Sequence, residues 1–150
     1  TAMKVLDKGR LHIAAVATGA AERMLADALR YAIERKQFGK PIVEFELIQA
    51  MLADSRADIY AARCMIVDAA RRRDAGERVT SEASCAKMFA TEMCGRVADR
   101  AVQIFGGAGY MSEYGIERFY RDVRLFRIYE GTTQIQQIVI AREMRRAFEG

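Results

Sequence analysis

Three long stretches of the sequence carry apolar residues at the spacing of an α-helix, and glycine or proline separates them. The first covers about residues 3–35 and the second about residues 44–73, with the single proline of the chain, Pro41, between them. The third begins at Thr80-Ser81, which we predict to cap it, and ends at Gly106-Gly107. Because apolar residues three and four positions apart share one helix face, these stretches predict three long helices.

The apolar residues of each stretch are expected to face a common core. In the first helix the predicted core residues are Leu6, Ile13, Val16, Ala20, Met24 and Tyr31. In the second they are Ile48, Leu52, Ile59, Ala62 and Ile66. In the third they are Cys85, Met88, Met93 and Val97.

Two more helices are predicted after the connection GGAGYMSEYG, which is rich in glycine and tyrosine. The last one begins at Thr132 and ends near Phe148. The one before it is short and amphipathic, and its apolar residues are Ile116, Phe119, Val123 and Phe126. Long helices joined by short loops favour an all-α fold, an antiparallel up-and-down four-helix bundle with one additional short helix. A chain of 150 residues suits one such domain.

The charge of the chain is mildly basic, +4 at pH 7. Arginines cluster at positions 71–73 and at 142, 145 and 146, where we expect them near the ends of helices and complementary to the helix dipole. This placement argues against a nucleic-acid surface. Uncharged apolar runs are all shorter than the roughly 18 residues that a membrane span needs, so no span is expected.

The cysteines and histidine argue against a metal site. Cys64, Cys85 and Cys94 form no CxxC pair, and the sequence holds one histidine. These residues do not make up a zinc ligand set. We therefore expect three reduced, buried thiols in an intracellular protein.

Two segments at predicted helix ends leave alternatives open. In ERKQFGK, Arg35 could cap the last carbonyls of the first helix, or its planar guanidinium could bind a phosphate. In QIFGGAGY, one glycine would suffice to end the helix, whereas the pair Gly106-Gly107 would also let a flat, bulky group approach the backbone.

The segment RIYEGTTQIQ places Glu130 between two apolar residues and a helix start. A glutamate there could simply favour the helix dipole. Alternatively, a poorly solvated carboxylate is what the abstraction of a proton from carbon requires. The segment DKGR, which spans Asp7 to Arg10, is by itself an ordinary charged helix face.

Together and in this order, these segments resemble the C-terminal domain of the acyl-CoA dehydrogenases, FAD enzymes that oxidise acyl-CoA thioesters to trans-2-enoyl-CoA. The resemblance covers essentially all 150 residues and is carried by DKGR, RKQFGKPI, QAMLAD, QIFGGAGY, Arg121-Asp122 and IYEGTTQIQ. Family members carry an N-terminal helical domain and a middle β-domain ahead of this one. Because TAMKVLD begins partway into a helical pattern, we expect residues 1–150 to be the C-terminal helical-bundle domain of a longer polypeptide, inactive alone.

The resemblance implies that Glu130 is the base that removes the α-proton of the thioester, while the β-hydrogen leaves as hydride to the flavin. The backbone N–H of Glu130 and a flavin ribityl hydroxyl would polarise the thioester oxygen. Asp7, Arg10 and Gly131 correspond to substrate-binding positions, the first two near the CoA portion. In one branch of the family the base lies at the position of Gly9, which leaves Glu130 as the candidate here.

The resemblance also implies which residues bind FAD. Most of them would contact the FAD of a neighbouring subunit at its pyrophosphate and adenine end. The two that follow Glu130 in sequence would contact the flavin nucleotide. The residues that correspond to these contacts are Arg35, Gln37, Phe38, Gln103, Gly107, Thr132 and Gln134. Glu46 departs from the pattern, because many members carry glutamine there and a carboxylate would repel FAD phosphates.

As partners, the resemblance implies an acyl-CoA, an electron-transfer flavoprotein as electron acceptor, and further copies of the chain in a tetramer or dimer. It also implies a cytoplasmic location in a bacterium or a place in the mitochondrial matrix of a eukaryote. Two other functions remain open at this point. One is a flavin oxidase or monooxygenase on the same fold, and the other is a helical oligomerisation module without chemistry. The presence of both Glu130 and Arg35 argues against the second of these.

Overall fold

The computed structural model describes residues 2–149, and the side chains of residues 2–5 lie outside what it describes. Its elements are α1 (Ala2–Glu34), β1 (Lys36–Gln37), β2 (Lys40–Pro41), α2 (Glu46–Asp74), α3 (Thr80–Phe105), α4 (Gly107–Tyr110), α5 (Ile116–Val123) and α6 (Thr133–Glu149). Short 3₁₀ turns cover Ile42–Glu44 and Arg124–Arg127. The four long helices and the short α5 confirm the predicted all-α fold, whereas α4 and the antiparallel pair β1–β2 were not predicted.

The side-chain contacts fix the direction of each long helix. The Tyr31 ring stacks on Phe105 with centroids 4.1 Å apart, so α1 and α3 end side by side and run parallel. In α2, Asp58 pairs with Arg100 and Arg72 with Glu82, which requires α2 to run antiparallel to α3. Helix α6 also runs antiparallel to α3, because Thr133 bonds to Glu92 near its start and Glu143 pairs with Arg78 further along. The bundle is therefore up-and-down, as predicted.

The seam between α1 and α3 is lined mostly by alanine. The fully buried alanines of these two helices are Ala14, Ala17, Ala21, Ala28, Ala32, Ala83, Ala86, Ala90, Ala98 and Ala101. Short side chains let two helices pack along their whole length with little loss of side-chain entropy. The predicted core residues Leu6 and Val16 are instead 45% and 52% exposed, so that part of the prediction was wrong. Apolar residues of α1 lie on both its buried and its exposed surface, and the buried surface consists mostly of alanine.

The predicted cap at Thr80-Ser81 is wrong. The residue that precedes α3 is Val79, and no side chain caps the helix start. The Thr80 hydroxyl instead donates a hydrogen bond to the Asp7 carboxylate at 2.9 Å. In a cap this hydroxyl would accept a hydrogen bond from a nearby backbone N–H. Here it donates instead to a residue 73 positions away in the sequence.

None of the helices in the described part of the chain is long and apolar enough to cross a membrane. Within residues 2–149, no group of three or more His, Cys, Asp or Glu side chains is placed to bind a metal ion.

The three cysteines differ in exposure. All are free thiols, but Cys94 is buried, Cys85 is half-buried and Cys64 is exposed, so the expectation of a buried thiol was wrong for Cys64. Burial raises the pKa of Cys94 to about 12, against a smaller opposing effect of Arg127. Burial also raises the pKa of Cys85.

The thiols should therefore react with iodoacetamide in the order of their exposure. The thiolate is the nucleophile, and raising a thiol pKa lowers its thiolate fraction at any pH below that value. At pH 8 we expect Cys64 to be alkylated first, Cys85 more slowly, and Cys94 only after unfolding, as measured by peptide mass spectrometry. Equal labelling of Cys94 and Cys64 in the folded chain would contradict this description of the core.

Overfilling the alanine seam should destabilise the bundle. Ala21 of α1 is 0% exposed, and Ala21→Leu should lower the free energy of unfolding by about 1–3 kcal/mol because no space exists for the added atoms. Ala15 lies on the same helix but is exposed, and Ala15→Leu should change it by less than about 0.5 kcal/mol. Urea unfolding followed by circular dichroism compares the two variants. Equal effects would mean that the seam is not close-packed.

Candidate active site

Glu130 lies in a turn with an unusual backbone conformation. Its φ angle is +54°, in the left-handed region, and the φ angle of Gly131 is +87°. Glycine adopts such angles freely, but for a residue with a side chain they cost about 1–2 kcal/mol. Strained backbone of this kind persists only where surrounding contacts hold it, and it often marks a functional site.

Two buried side chains donate hydrogen bonds to the carbonyls of this turn. Lys87 of α3 donates a hydrogen bond from Nζ to the Gly131 carbonyl at 2.7 Å. Gln136 of α6 donates from Nε2 to the carbonyls of Glu130 and Gly131 at 3.1 and 3.0 Å. Both side chains are 0% exposed. The two consecutive carbonyls of the turn are therefore fixed by donors from two different helices.

A second set of contacts fixes the chain on either side of the turn. Glu92 of α3 accepts a hydrogen bond from Arg127 at 3.2 Å and another from the Thr133 hydroxyl at 2.6 Å. Gly95, one turn further along α3, makes room for this arginine, since a Cβ there would lie 3.0 Å from its guanidinium. Helix α3 thus anchors the chain immediately before and after Glu130.

The Glu130 side chain reaches across to α1. A Cβ added at Gly9 would lie 2.7 Å from Oε2 of Glu130, so the carboxylate occupies the space that any other residue at position 9 would need. Glu130 is exposed, and none of the ion pairs in the described chain includes it. Its amide N–H likewise donates to no carbonyl of residues 2–149. A carboxylate and an N–H donor of the same residue are thus both available to a bound molecule.

Tyr129, next to the carboxylate, remains protonated. Burial, and to a smaller extent the charge of Glu130, raises the pKa of its phenol. Its ring stacks on Phe126 with centroids 5.9 Å apart. Tyr129 therefore contributes a neutral, aromatic wall to the turn.

Asp7 and Arg10 lie on α1 close to Gly9 and are paired with each other. Arg10 donates to Asp7 at 2.9 Å, and both side chains are nearly fully buried. The Nε of Arg10 is buried without a hydrogen-bond partner in the described part of the chain. Asp7 also lines a cavity of about 700 Å³ whose other charged lining residues are Arg73, Glu77, Arg78, Arg142, Glu143 and Arg146. The structure places this predicted substrate-binding pair beside the Glu130 turn.

A second group of predicted residues lies at the far end of α1. Arg35, Gln37 and Phe38 follow the helix and are exposed, with Phe38 at 91%. Phe38 also has a left-handed backbone, with a φ angle of +53°. Arg35 makes no side-chain hydrogen bond to a helix carbonyl among the described residues, so the structure shows no helix-capping contact for it. Its guanidinium is free to contact another molecule.

Gln103 and Gly107 belong to the same end of the bundle. They lie at and just after the end of α3, and both are exposed. Because Tyr31 stacks on Phe105, the ends of α1 and α3 lie side by side. The structure thus brings the Arg35 segment and the Gln103 segment to one end, where guanidinium and amide donors share a surface.

These two groups are far apart within one copy of the chain. From Gly9 to Glu34, α1 advances 25 residues, about 37 Å at the usual helical rise.

Thr132 and Gln134 stay with Glu130. Thr132 accepts a hydrogen bond from the Ile135 N–H at 3.3 Å and so caps α6, while Gln134 is exposed.

Sequence reasoning missed the residues that hold the turn, above all Lys87 and Gln136. A signal for Lys87 was present, since it follows the buried face of α3 at the spacing Ala83, Lys87, Ala90, Cys94. A lysine on such a face is rarely buried without a specific partner. Gln136 gave no such signal, because α6 is polar on most of its surface.

Comparison with known proteins assigns the chain to a family. Residues 1–145 match the family model described as acyl-CoA dehydrogenase, C-terminal domain. The chain is 49% identical over 140 residues to the CarC subunit of the caffeyl-CoA reductase–Etf complex of Acetobacterium woodii, covering 93% of this chain and 37% of that protein. It is 51% identical over 139 residues to the probable acyl-CoA dehydrogenase YngJ of Bacillus subtilis, with the same coverage of 93% and 37%.

A solved structure agrees with this assignment. Butyryl-CoA dehydrogenase of Megasphaera elsdenii superposes with a TM-score of 0.93 at 44% identity, over 95% of this chain and 37% of that one. The chain thus spans little more than a third of the length of the relatives it matches. It belongs to the acyl-CoA dehydrogenase family and corresponds to the C-terminal helical domain of its members.

Proposed function

We propose that this domain supplies the catalytic base of an FAD-dependent acyl-CoA dehydrogenase that converts an acyl-CoA thioester to the trans-2-enoyl-CoA. One observation carries the proposal. The turn at Glu130 leaves both the carboxylate and the amide N–H of the same residue without a partner in the described chain, while buried donors fix the carbonyls beneath it. A turn that only joined two helices would not need such conformational strain.

The chemistry needs both groups of Glu130. The α-carbon of a thioester is a poor acid, and loss of its proton places negative charge on the thioester oxygen. The Glu130 carboxylate accepts the α-proton, and its N–H donates a hydrogen bond to that oxygen. Gly9 contributes by leaving the space that the carboxylate fills. No second acid could stand at position 9 without displacing Glu130.

The donor residues at the other end of α1 suit the cofactor of this family. Arg35 presents a guanidinium whose planar fork matches pyrophosphate oxygens, and Gln37 and Gln103 add amides that can pair with an adenine or ribose. Glu46 lies in the first turn of α2, where its charge would oppose a phosphate. When bound, FAD supplies the hydride acceptor of the reaction.

The separation of the two groups supports a site shared between copies. Thr132 and Gln134 accompany Glu130, whereas Arg35 and Gln103 lie about 37 Å away, farther than one dinucleotide spans. Each FAD would then contact the Glu130 end of one copy and the Arg35 end of another. The outward face of α1 agrees with such assembly, since it carries the exposed apolar residues Leu6, Val16, Leu29 and Ile33.

We also propose that further domains precede this one in the complete enzyme and that an electron-transfer flavoprotein exchanges electrons with it. The first is supported by the 37% share of the relatives that the chain covers and by its match to a family model described as a C-terminal domain. The second rests on the name of the Acetobacterium woodii relative, which is a subunit of a complex with Etf. The similarity to dehydrogenases and a reductase at 49–51% identity favours this function over an oxidase.

Glu130→Gln in the complete enzyme should abolish flavin reduction while acyl-CoA still binds. The substitution keeps the backbone N–H and the side-chain shape but removes the base, which should slow reduction by at least about 100-fold. Anaerobic stopped-flow measurement of flavin bleaching checks this. Glu113→Gln serves as the control and should leave the rate unchanged, because this exposed glutamate precedes Tyr114, which packs against Tyr31 and Phe105 at the opposite end of α1. A Glu130→Gln rate within a few-fold of wild type would remove Glu130 from the mechanism.

Arg35→Ala should release FAD and weaken assembly together, because one guanidinium would serve both the cofactor and the contact between copies. Loss of one buried charge-assisted contact is worth roughly 2–5 kcal/mol. FAD content after dialysis and light scattering measure the two effects. Arg30→Ala, which removes an exposed arginine from the same helix, is the matched control. Full FAD retention by Arg35→Ala would show that this residue does not hold the cofactor.

A further inference from the structure

Lys87 is the largest fully buried side chain of the described residues, and it carries an ammonium group. It lies on α3 among the alanines of the seam, and its one described hydrogen bond goes to the Gly131 carbonyl at 2.7 Å. Taking an ammonium out of water costs several kcal/mol unless it is paired and hydrogen-bonded. A lysine in this place therefore has a specific partner, and that partner is the turn beside Glu130.

The charges around Lys87 come from three elements. Glu130 faces it from the turn, Glu92 from its own helix and Arg10 from α1. Desolvation lowers the pKa of Lys87, the two carboxylates oppose that effect, and Arg10 adds to it. The buried ammonium of Lys87 thus interacts electrostatically with the carboxylate of Glu130.

We propose that Lys87 is a positioning residue for the catalytic base, holding the Gly131 carbonyl and so maintaining the left-handed turn that presents the Glu130 carboxylate and N–H. This inference rests on the proposed role of Glu130. Gln136 ties the same carbonyl to the start of α6, its own helix. Lys87 ties it to α3, which packs against α1, the helix of Gly9. Of the two described donors to this carbonyl, Lys87 is therefore the one that connects it directly to the central seam.

The position of Gly9 makes this distance important. The carboxylate lies close to the α1 backbone, with 2.7 Å between Oε2 and a Cβ position at Gly9. A turn that relaxed toward ordinary φ angles would rotate both the carboxylate and the N–H away from a shared substrate. Misplacement of a reacting group by about 1 Å can cost 100-fold in rate.

The test compares Lys87→Met with Thr91→Val in the complete enzyme carrying FAD. Methionine keeps the length and apolar stem of lysine but donates no hydrogen bond. Thr91 is a buried neighbour on the same helix whose hydroxyl bonds only to carbonyls of that helix, so Thr91→Val controls for general disturbance of α3. Three quantities are measured: the anaerobic rate of flavin reduction, the Kd of an unreactive CoA thioether, and hydrogen exchange of the amides in residues 128–133.

For Lys87→Met we expect flavin reduction to slow by about 10- to 100-fold while the Kd of the thioether changes by less than about threefold. Amide exchange in residues 128–133 should accelerate, and Thr91→Val should leave all three quantities near wild type. If Lys87→Met does not fold, Lys87→Gln replaces it. Its amide ends one bond short of the lysine ammonium, so the same changes are expected.

Unchanged amide exchange in the turn would overturn the proposal even if the rate fell, because Lys87 would then not be holding the turn. An unchanged rate with faster exchange would also overturn it, because the turn would not need to be held for catalysis. The proposed function fails separately, when wild-type enzyme is not reduced by any acyl-CoA of a chain-length series. In that case the exchange measurement still reports whether Lys87 maintains the turn.

Discussion

The site depends on a backbone conformation that the local sequence does not favour. Glu130 adopts a left-handed φ angle, and donors from α3 and α6 compensate by bonding to two consecutive carbonyls. The two carbonyls accept these hydrogen bonds, whereas the carboxylate and the N–H of Glu130 have no hydrogen-bond partner in the described chain. Gln136 bonds to both carbonyls and Lys87 bonds to the second, so losing either donor weakens the contacts that hold the left-handed turn.

Helix α3 connects this turn to the rest of the bundle. Its alanines pack against those of α1, and the same helix carries Lys87, Glu92 and Gly95, which contact the chain around Glu130. Close packing along the seam fixes α1 relative to α3, and therefore fixes Gly9 beneath the carboxylate. The alanine composition of the seam thus has a consequence for the site, since larger residues would move the two helices apart.

Much of the fold could be predicted because helix periodicity and glycine or proline breaks are local signals. The bounds of α2 and α3 and the apolar face of α5 followed from them. The core face of α1 could be predicted only in part, because alanine counts weakly in an apolar pattern and Val16 strongly. Thr80 was predicted to be a cap from its local sequence, whereas the actual partner of its hydroxyl, Asp7, is remote in sequence.

By itself, the sequence determined the family, the helices and the candidate base, because short motifs such as IYEGTTQIQ keep their order and spacing along the chain. Tertiary structure alone decided what surrounds this candidate base. It placed Glu130 over Gly9, buried Lys87 beneath Gly131, and put Arg35 at the opposite end of α1. These relations join residues tens of positions apart, and they depend on how helices pack in three dimensions, which local periodicity does not encode.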